Sequence, residues 1–321
     1  VGNAGTAARF LTSFVALGRG EYLIDGVPRM RQRPIQPLLE TLQQLDVDAQ
    51  AVNGNGCPPV RVRTHGLTGG RARMRGDISS QYFSSILMVA PLSTQGVELE
   101  VEGDLVSKPY IDMTASTMAE FGATVENHGY QRFTVAGGQH YEGRRYDIEP
   151  DASGASYFFA AAAVTGGRVR VEHLGRGSGQ GDLNFVDVLE RMGCTVTKAD
   201  DYTEVVGPAK LRGVEVDMGD ISDTAQTLAA IAPFADGPVA IRNVANIRFK
   251  ETDRVAALAT ELRRLGIAVD ERSDGLTIHP GPMTPAPVDT YDDHRMAMSF
   301  AATGLRLPGL QINDPGCVSK T

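Results

Sequence analysis

At 321 residues, with 42% hydrophobic and 22% charged side chains, the chain has the composition of a globular protein long enough for two compact domains, which sets aside disordered and fibrous classes. A net charge of -8 without any lysine and arginine run argues against a nucleic-acid partner. No apolar stretch reaches the roughly twenty residues of a membrane span, the nearest being the alanine-rich run Tyr157 to Val164, so no membrane partner is expected.

Val1-Gly2-Asn3-Ala4-Gly5 has no initiator methionine and runs directly into a glycine-rich turn and a helical pattern, which implies that residues precede it. From there one pattern recurs: a small polar cluster, an alanine-rich helix, a β-branched strand, an amphipathic helix closing on Leu-Gly or Phe-Gly, and a hairpin. The clusters are Gly5-Thr6, Ser79-Ser80, Asp151 with Ser153, Asp220 with Asp223, and Asp292-Asp293, roughly seventy to seventy-five residues apart. The spacing fits one βαβαββ-like unit per repeat. In the second copy the pattern predicts a helix over Tyr82 to Leu92, a strand over Val97 to Val101, a helix over Ile111 to Phe121 and a hairpin over Ala123 to Val135. In the third it predicts a helix over Tyr157 to Val164, a strand over Arg168 to Glu172, a helix over Phe185 to Met192 and a hairpin over Val196 to Val206. Phe121-Gly122, Met192-Gly193 and Leu265-Gly266 carry the glycine that ends a helix. Cys57, Cys194 and Cys317 stand alone without CxxC spacing, so neither a disulfide framework nor a zinc site is expected, and a reducing cytoplasm fits.

The first helix of each copy, such as Phe158 to Val164 or Thr227 to Ala235, is apolar on nearly every face and is expected to be buried. Its polar residues gather at the N-terminus, where unpaired N–H groups and the helix dipole favour anions. Taken singly, each cluster reads equally well as a helix cap.

Asn3-Ala4-Gly5-Thr6-Ala7-Ala8-Arg9, Arg31-Gln32-Arg33-Pro34, Ser79-Ser80-Gln81, Ser107-Lys108-Pro109-Tyr110, Lys250-Glu251-Thr252-Asp253-Arg254, Asp293-His294-Arg295-Met296-Ala297-Met298 and Lys320-Thr321 occur in one order along the whole chain. This set resembles the enolpyruvyl transferase family, in its 3-phosphoshikimate 1-carboxyvinyltransferase (EPSP synthase) branch. Several motifs in one order are far more specific than a lone glycine-rich loop. The resemblance implies a mixed α/β (α+β) fold of two domains built from the repeated units, with buried helices whose N-termini face an interdomain cleft. Residues 1–148 would form most of the shikimate 3-phosphate-side domain and residues 149–321 most of the second. The implied reaction moves the enolpyruvyl group of phosphoenolpyruvate to the 5-hydroxyl of shikimate 3-phosphate, with no organic cofactor and no metal.

By the same resemblance Gly5, Arg33, Gln81, Arg254, Arg295 and Lys320 would hold phosphoenolpyruvate, with Arg9 a weaker member, and glyphosate would occupy that place as an inhibitor. Guanidinium forks suit carboxylate and phosphate, although an isolated arginine usually reads as a solvated surface charge. Thr6, Ser79, Ser80, Gln81, Ser107, Tyr110, Asp223, Asn246 and Lys250 would hold shikimate 3-phosphate. Asp223 would be the base for the 5-hydroxyl and Glu251 the acid for the methylene carbon, with Lys320 a further catalytic member. Lys250 and Arg254, four apart, would flank Glu251 and alter its protonation in a direction the sequence leaves open. His294 reads as orienting its neighbours rather than shuttling protons.

The family pattern includes a Lys-Ser-x-Ser-Asn-Arg segment, expected ahead of Val1, and a short tail after Lys320. The chain by itself is therefore expected to be inactive or impaired, and to be a monomer that an N-terminal fragment would complement. Ala8 and Phe10, where many bacterial members carry methionine and proline, leave glyphosate sensitivity open. A second enzymatic reading is UDP-N-acetylglucosamine enolpyruvyl transferase, and a third is a split or inactive binding form.

Overall fold

The computed structural model describes residues 1–320, with the backbone alone for Lys320. It divides into two units, Val1–Tyr146 and Asp147–Thr321, each with its own apolar core.

Unit 1 opens with helix α1 (Gly5–Phe14), strand β1 (Gly20–Ile24), helix α2 (Gln36–Gln44), and strands β2 (Asp48–Ala51) and β3 (Val60–Thr64), which form an antiparallel sheet in the order β1-β3-β2. It continues through β4 (Gly70–Arg75), α3 (Ser80–Val89), β5 (Val97–Glu102), α4 (Lys108–Glu120), β6 (Glu126–His128) and β7 (Arg132–Val135), a sheet in the order β4-β5-β7-β6. The helical crossover makes β4 and β5 parallel, and the tight turn makes β6 and β7 antiparallel.

Unit 2 repeats the plan. Helix α5 (Ala152–Thr165), β8 (Arg168–Glu172), α6 (Phe185–Arg191), β9 (Thr195–Lys198) and β10 (Tyr202–Val206) give the sheet order β8-β10-β9. Then β11 (Val214–Asp217), α7 (Ala225–Ile231), β12 (Val239–Arg242), α8 (Arg254–Arg264), β13 (Ala268–Arg272) and β14 (Gly275–His279) give β11-β12-β14-β13. Last come β15 (Pro287–Val288), α9 (His294–Gly304) and β16 (Gln311–Ile312), with β15 and β16 parallel. The βαβαββ unit is thus present whole in β4 to β7 and β11 to β14, and without its opening strand in the two three-stranded copies.

Strands such as β4 alternate buried and exposed side chains, so one face of the sheet meets the core and the other meets water. Hydroxyls bridge the inner helices: Ser13 Oγ donates to Ser85 Oγ at 2.9 Å between α1 and α3, Ser156 and Thr227 lie 2.9 Å apart between α5 and α7, and Thr303 Oγ1 donates to Ala230 O at 2.8 Å between α9 and α7. Small residues let these helices approach closely, and each buried hydroxyl finds its partner across the gap. Gly122, Gly193 and Gly266 take φ of 89°, 104° and 90°, the left-handed conformation expected where these helices stop.

Helix α7 is buried on all sides, as its sequence predicts. Helix α5 departs from expectation. It packs Ala155, Phe159, Ala162 and Ala163 into the core, but Phe158 is 61% exposed and heads an open face continued by Ala161 and Thr165. An apolar stripe and an apolar cylinder read alike when the outward positions are also Phe and Ala. Among the described residues no helix is long and apolar enough to cross a membrane.

The unit 1 core is fixed by Phe133 of β7, 1% exposed, whose ring lies 6.2 Å from that of Phe83 on α3. Phe133→Ala is expected to cost about 3–5 kcal/mol, read as a lowered urea midpoint. A loss below about 1 kcal/mol would show that this contact does not hold β7 to α3.

Candidate active site

In unit 2 two of the predicted residues, Asp223 and Glu251, converge on the guanidinium of a third, Arg254. Arg254 is the first residue of α8, fixed there by Asp253, whose side chain caps the helix by accepting from Ala256 N at 3.0 Å. Its side chain is 2% exposed and holds three carboxylates. Nε donates to Asp293 Oδ2 at 2.7 Å and NH2 to Asp293 Oδ1 at 3.2 Å, a two-point fork. NH2 also donates to Glu251 Oε2 at 2.8 Å, and NH1 to Asp223 Oδ1 at 3.3 Å. Asp223 in turn accepts from Arg295 NH2 at 3.1 Å and lies 3.7 Å from Lys250 Nζ. Three cations thus face three carboxylates.

The neighbouring residues complete this network. Asp293 caps α9 by accepting from Arg295 N at 2.9 Å, and His294 Nδ1 lies 3.7 Å from Asp293 Oδ1. Asn246 donates from Nδ2 to Ser222 Oγ at 3.1 Å, while its Oδ1 is buried with no hydrogen-bond partner among the described residues. The Tyr157 hydroxyl of α5 accepts from Arg295 NH1 at 3.4 Å.

Electrostatics follow from burial and these contacts. Burial opposes charge on Asp223, yet Arg295, Lys250, Arg254 and His294 more than offset it and hold the carboxyl well below the usual range. Burial lowers Lys250, against the attraction of Asp223 and Glu251. Arg254 would lose affinity for its proton on burial, but Asp293, Glu251 and Asp223 raise it instead, so its charge is permanent.

In unit 1 the second set gathers at the N-terminus of α1. Arg33, 3% exposed, donates from NH1 to Asn3 O at 2.8 Å. Arg9, 4% exposed, lies over the Tyr82 ring at 5.9 Å and donates from NH2 to Pro34 O at 3.1 Å. The Nε and NH1 of Arg9 are buried without a hydrogen-bond partner among the described residues. Buried unsatisfied guanidinium N–H groups are costly, and an incoming anion would satisfy them. A methyl group on Gly5 would overlap the tips of both guanidiniums, so glycine is what lets them lie against the helix start.

Gln81 Nε2 donates to Thr6 Oγ1 at 3.0 Å, joining the α3 and α1 starts. Ser79 serves as the helix cap of α3, its Oγ accepting from Gln81 N at 3.3 Å, and Ser80 is buried beside it. Ser107 precedes α4 with φ of 56°, and Tyr110 stands in the first turn, half-buried. The side chain of Lys320, and all of Thr321, lie outside the described residues.

The sequence reading leaves out Asp293 and Tyr157 and gives Arg9 less weight than its burial warrants. Asp293 was legible in principle, since a buried arginine needs a carboxylate and this one precedes His294-Arg295. Arg9, a weaker member of the phosphoenolpyruvate set by sequence, is as buried as Arg33. Tyr157 gave no signal, because a tyrosine among alanines reads as core.

The match to known proteins decides the family. The family model described as EPSP synthase (3-phosphoshikimate 1-carboxyvinyltransferase) matches residues 1–321. The chain belongs to the EPSP synthase family. A 3-phosphoshikimate 1-carboxyvinyltransferase of Trichormus variabilis is 54% identical over 321 residues, covering all of this chain and 75% of that protein. One of Shewanella baltica is 48% identical over 323 residues, covering 100% of this chain and 76% of the relative. The fold is similar to that of an EPSP synthase of Acinetobacter baumannii, with a TM-score of 0.79 at 24% identity over 99% of this chain and 75% of the other. The mixed α/β architecture expected from the resemblance is therefore that of EPSP synthases.

Two outcomes follow from this geometry. A carboxyl whose folded pKa is depressed adds stability above its unfolded pKa, near 4, and loses it as the pH falls towards the folded value. Asp223→Asn is therefore expected to flatten the loss of stability below pH about 4, measured by urea unfolding between pH 6 and 2.5; an unchanged acid limb would contradict the depressed pKa. Gly5→Ala is expected to shift the melting temperature by only a few degrees, since it displaces only flexible side-chain tips, yet to weaken binding of a phosphate-bearing anion by about tenfold in calorimetry. Equal affinity in both proteins would contradict the packing argument.

Proposed function

We propose that this chain transfers the enolpyruvyl group of phosphoenolpyruvate to the 5-hydroxyl of shikimate 3-phosphate, releasing phosphate, the reaction of 3-phosphoshikimate 1-carboxyvinyltransferase (EC 2.5.1.19). The observation that carries this reading is the Arg254 fork, which holds Asp223, Glu251 and Asp293 beside Lys250 and Arg295 in a chain matched over residues 1–321 by the family.

In the first proposed domain, residues 1–148, Ser79, Ser80, Gln81, Ser107, Tyr110 and Thr6 are assigned to shikimate 3-phosphate, and Gly5, Arg33 and Gln81 to phosphoenolpyruvate. In the second, residues 149–321, Arg254 and Arg295 are assigned to the phosphoenolpyruvate anion, with Asp223, Asn246 and Lys250 on the shikimate side. Lys320 keeps its assignment to phosphoenolpyruvate and catalysis on sequence grounds alone.

Asp223 takes the proton of the 5-hydroxyl as its oxygen attacks C2 of phosphoenolpyruvate, while Glu251 gives a proton to C3. The resulting tetrahedral adduct then breaks its C–O bond to phosphate, which leaves with the proton held by Asp223, and returns a C3 proton to the Glu251 carboxylate to form the enolpyruvyl ether. Fixed cations stabilise the departing phosphate. With Arg295 and Lys250 on it, Asp223 is a weak base. An anionic substrate that draws those two cations to itself raises its proton affinity, which couples base strength to occupancy. Glyphosate is assigned to the phosphoenolpyruvate place. The unpaired state of Cys57, Cys194 and Cys317 supports a cytoplasmic setting, and the protein is proposed to act as a monomer.

Calorimetry with shikimate 3-phosphate and with UDP-N-acetylglucosamine tests the reading. Binding of the first alone is expected, together with phosphoenolpyruvate binding that Arg295→Ala weakens by roughly ten- to a hundredfold. Binding of the nucleotide sugar, or of neither acceptor, would contradict it.

A further inference from the structure

The segment that delivers Asp293, His294 and Arg295 is held at a second point that the reaction scheme does not use. Glu261 lies seven residues after Arg254 on α8, two turns along the same face, and is fully buried. Its Oε1 accepts from the Tyr291 hydroxyl at 2.6 Å, and its Oε2 accepts from Asp289 N at 3.2 Å. Arg264 Nη1 lies 2.9 Å from Glu261 Oε2 and also donates to Asp289 Oδ2 at 2.8 Å, so the buried carboxylate shares one cation with Asp289. Burial, then the bond and charge of Glu261, push the Tyr291 hydroxyl up to about 12.

Between the two anchor points the backbone is strained. Tyr291 and Asp292 take φ of 56° and 55°, consecutive left-handed residues without a glycine, immediately before the Asp293 that Arg254 grips. Aspartate tolerates that region, whereas tyrosine seldom adopts it. A strained dipeptide persists where its surroundings over-determine it.

We propose that Glu261 and Tyr291 are positioning residues for the enolpyruvyl transfer: gripped by the Tyr291 hydroxyl at one end and by the Asp293 carboxylate at the other, the strained turn sets Asp293 and Arg295 in register with Arg254. This inference rests on the reaction assigned above. The competing possibility is a staple that merely stabilises unit 2, which would affect both substrates alike or neither.

Tyr291→Phe removes one hydroxyl and keeps the ring, so the protein is expected to fold with a melting temperature within a few degrees of the original. Phosphoenolpyruvate affinity in calorimetry is expected to fall about tenfold, with shikimate 3-phosphate affinity unchanged within about twofold. Amide exchange over residues 291–297, followed by mass spectrometry without ligand, is expected to quicken by about tenfold while the rest of α9 is unchanged. Equal phosphoenolpyruvate affinity, a matching loss for both substrates, or unaltered exchange would overturn the proposal. If the unchanged protein binds neither substrate, the reaction assignment fails, and the exchange measurement still decides whether the hydroxyl holds the turn.

Discussion

The guanidinium of Arg254, 2% exposed, is the interaction on which the unit 2 site depends. A buried cation of this kind is costly unless its N–H groups are all used. Arg254 makes four hydrogen bonds to carboxylates from three parts of the chain: Asp223 before α7, Glu251 before α8 and Asp293 at the start of α9. The same contacts that neutralise it collect the groups assigned to proton transfer. Stability and chemistry here share one set of bonds.

On the proposed assignment the two units would meet an anion differently. In unit 2 the cations are already engaged by carboxylates, so an anionic ligand must compete for Arg295 and Lys250, and succeeding in that competition changes the basicity of Asp223. In unit 1 the Nε and NH1 of Arg9 are buried without a partner, and Gly5 leaves room for two guanidiniums against a helix start. That arrangement carries an unsatisfied demand for acceptors, which phosphate or carboxylate oxygens can meet.

Much of the fold was legible because periodicity reports burial directly. The βαβαββ repeat, the strand Arg168 to Glu172 and the helix-ending glycines Gly122, Gly193 and Gly266 follow from spacing and backbone preference alone. The open face of α5 at Phe158 did not, since alanine and phenylalanine look the same whether they face the core or water. At the site, motif order picked out Glu251, Arg254 and Arg295, and the family resemblance added Asp223. It missed the partners that depend on three-dimensional neighbours: Asp293, which looks like a helix cap and is one, and Tyr157, which reaches Arg295 from 138 residues away. The strained Tyr291-Asp292 turn was also invisible, since neither residue signals a left-handed backbone as glycine would.

The most direct test of this account removes the central cation and follows stability against pH. In Arg254→Met, three buried carboxylates would face Lys250, Arg295 and the His294 ring without the central guanidinium, and burial would push at least one carboxyl above its unfolded value. A group whose folded pKa is raised binds its proton more tightly in the native state, so stability is lost as the pH rises. Urea unfolding of the variant is therefore predicted to show falling stability between pH 5 and pH 8. A variant whose stability over that range runs parallel to that of the unchanged protein would contradict the claim that Arg254 offsets the cost of burying these carboxylates.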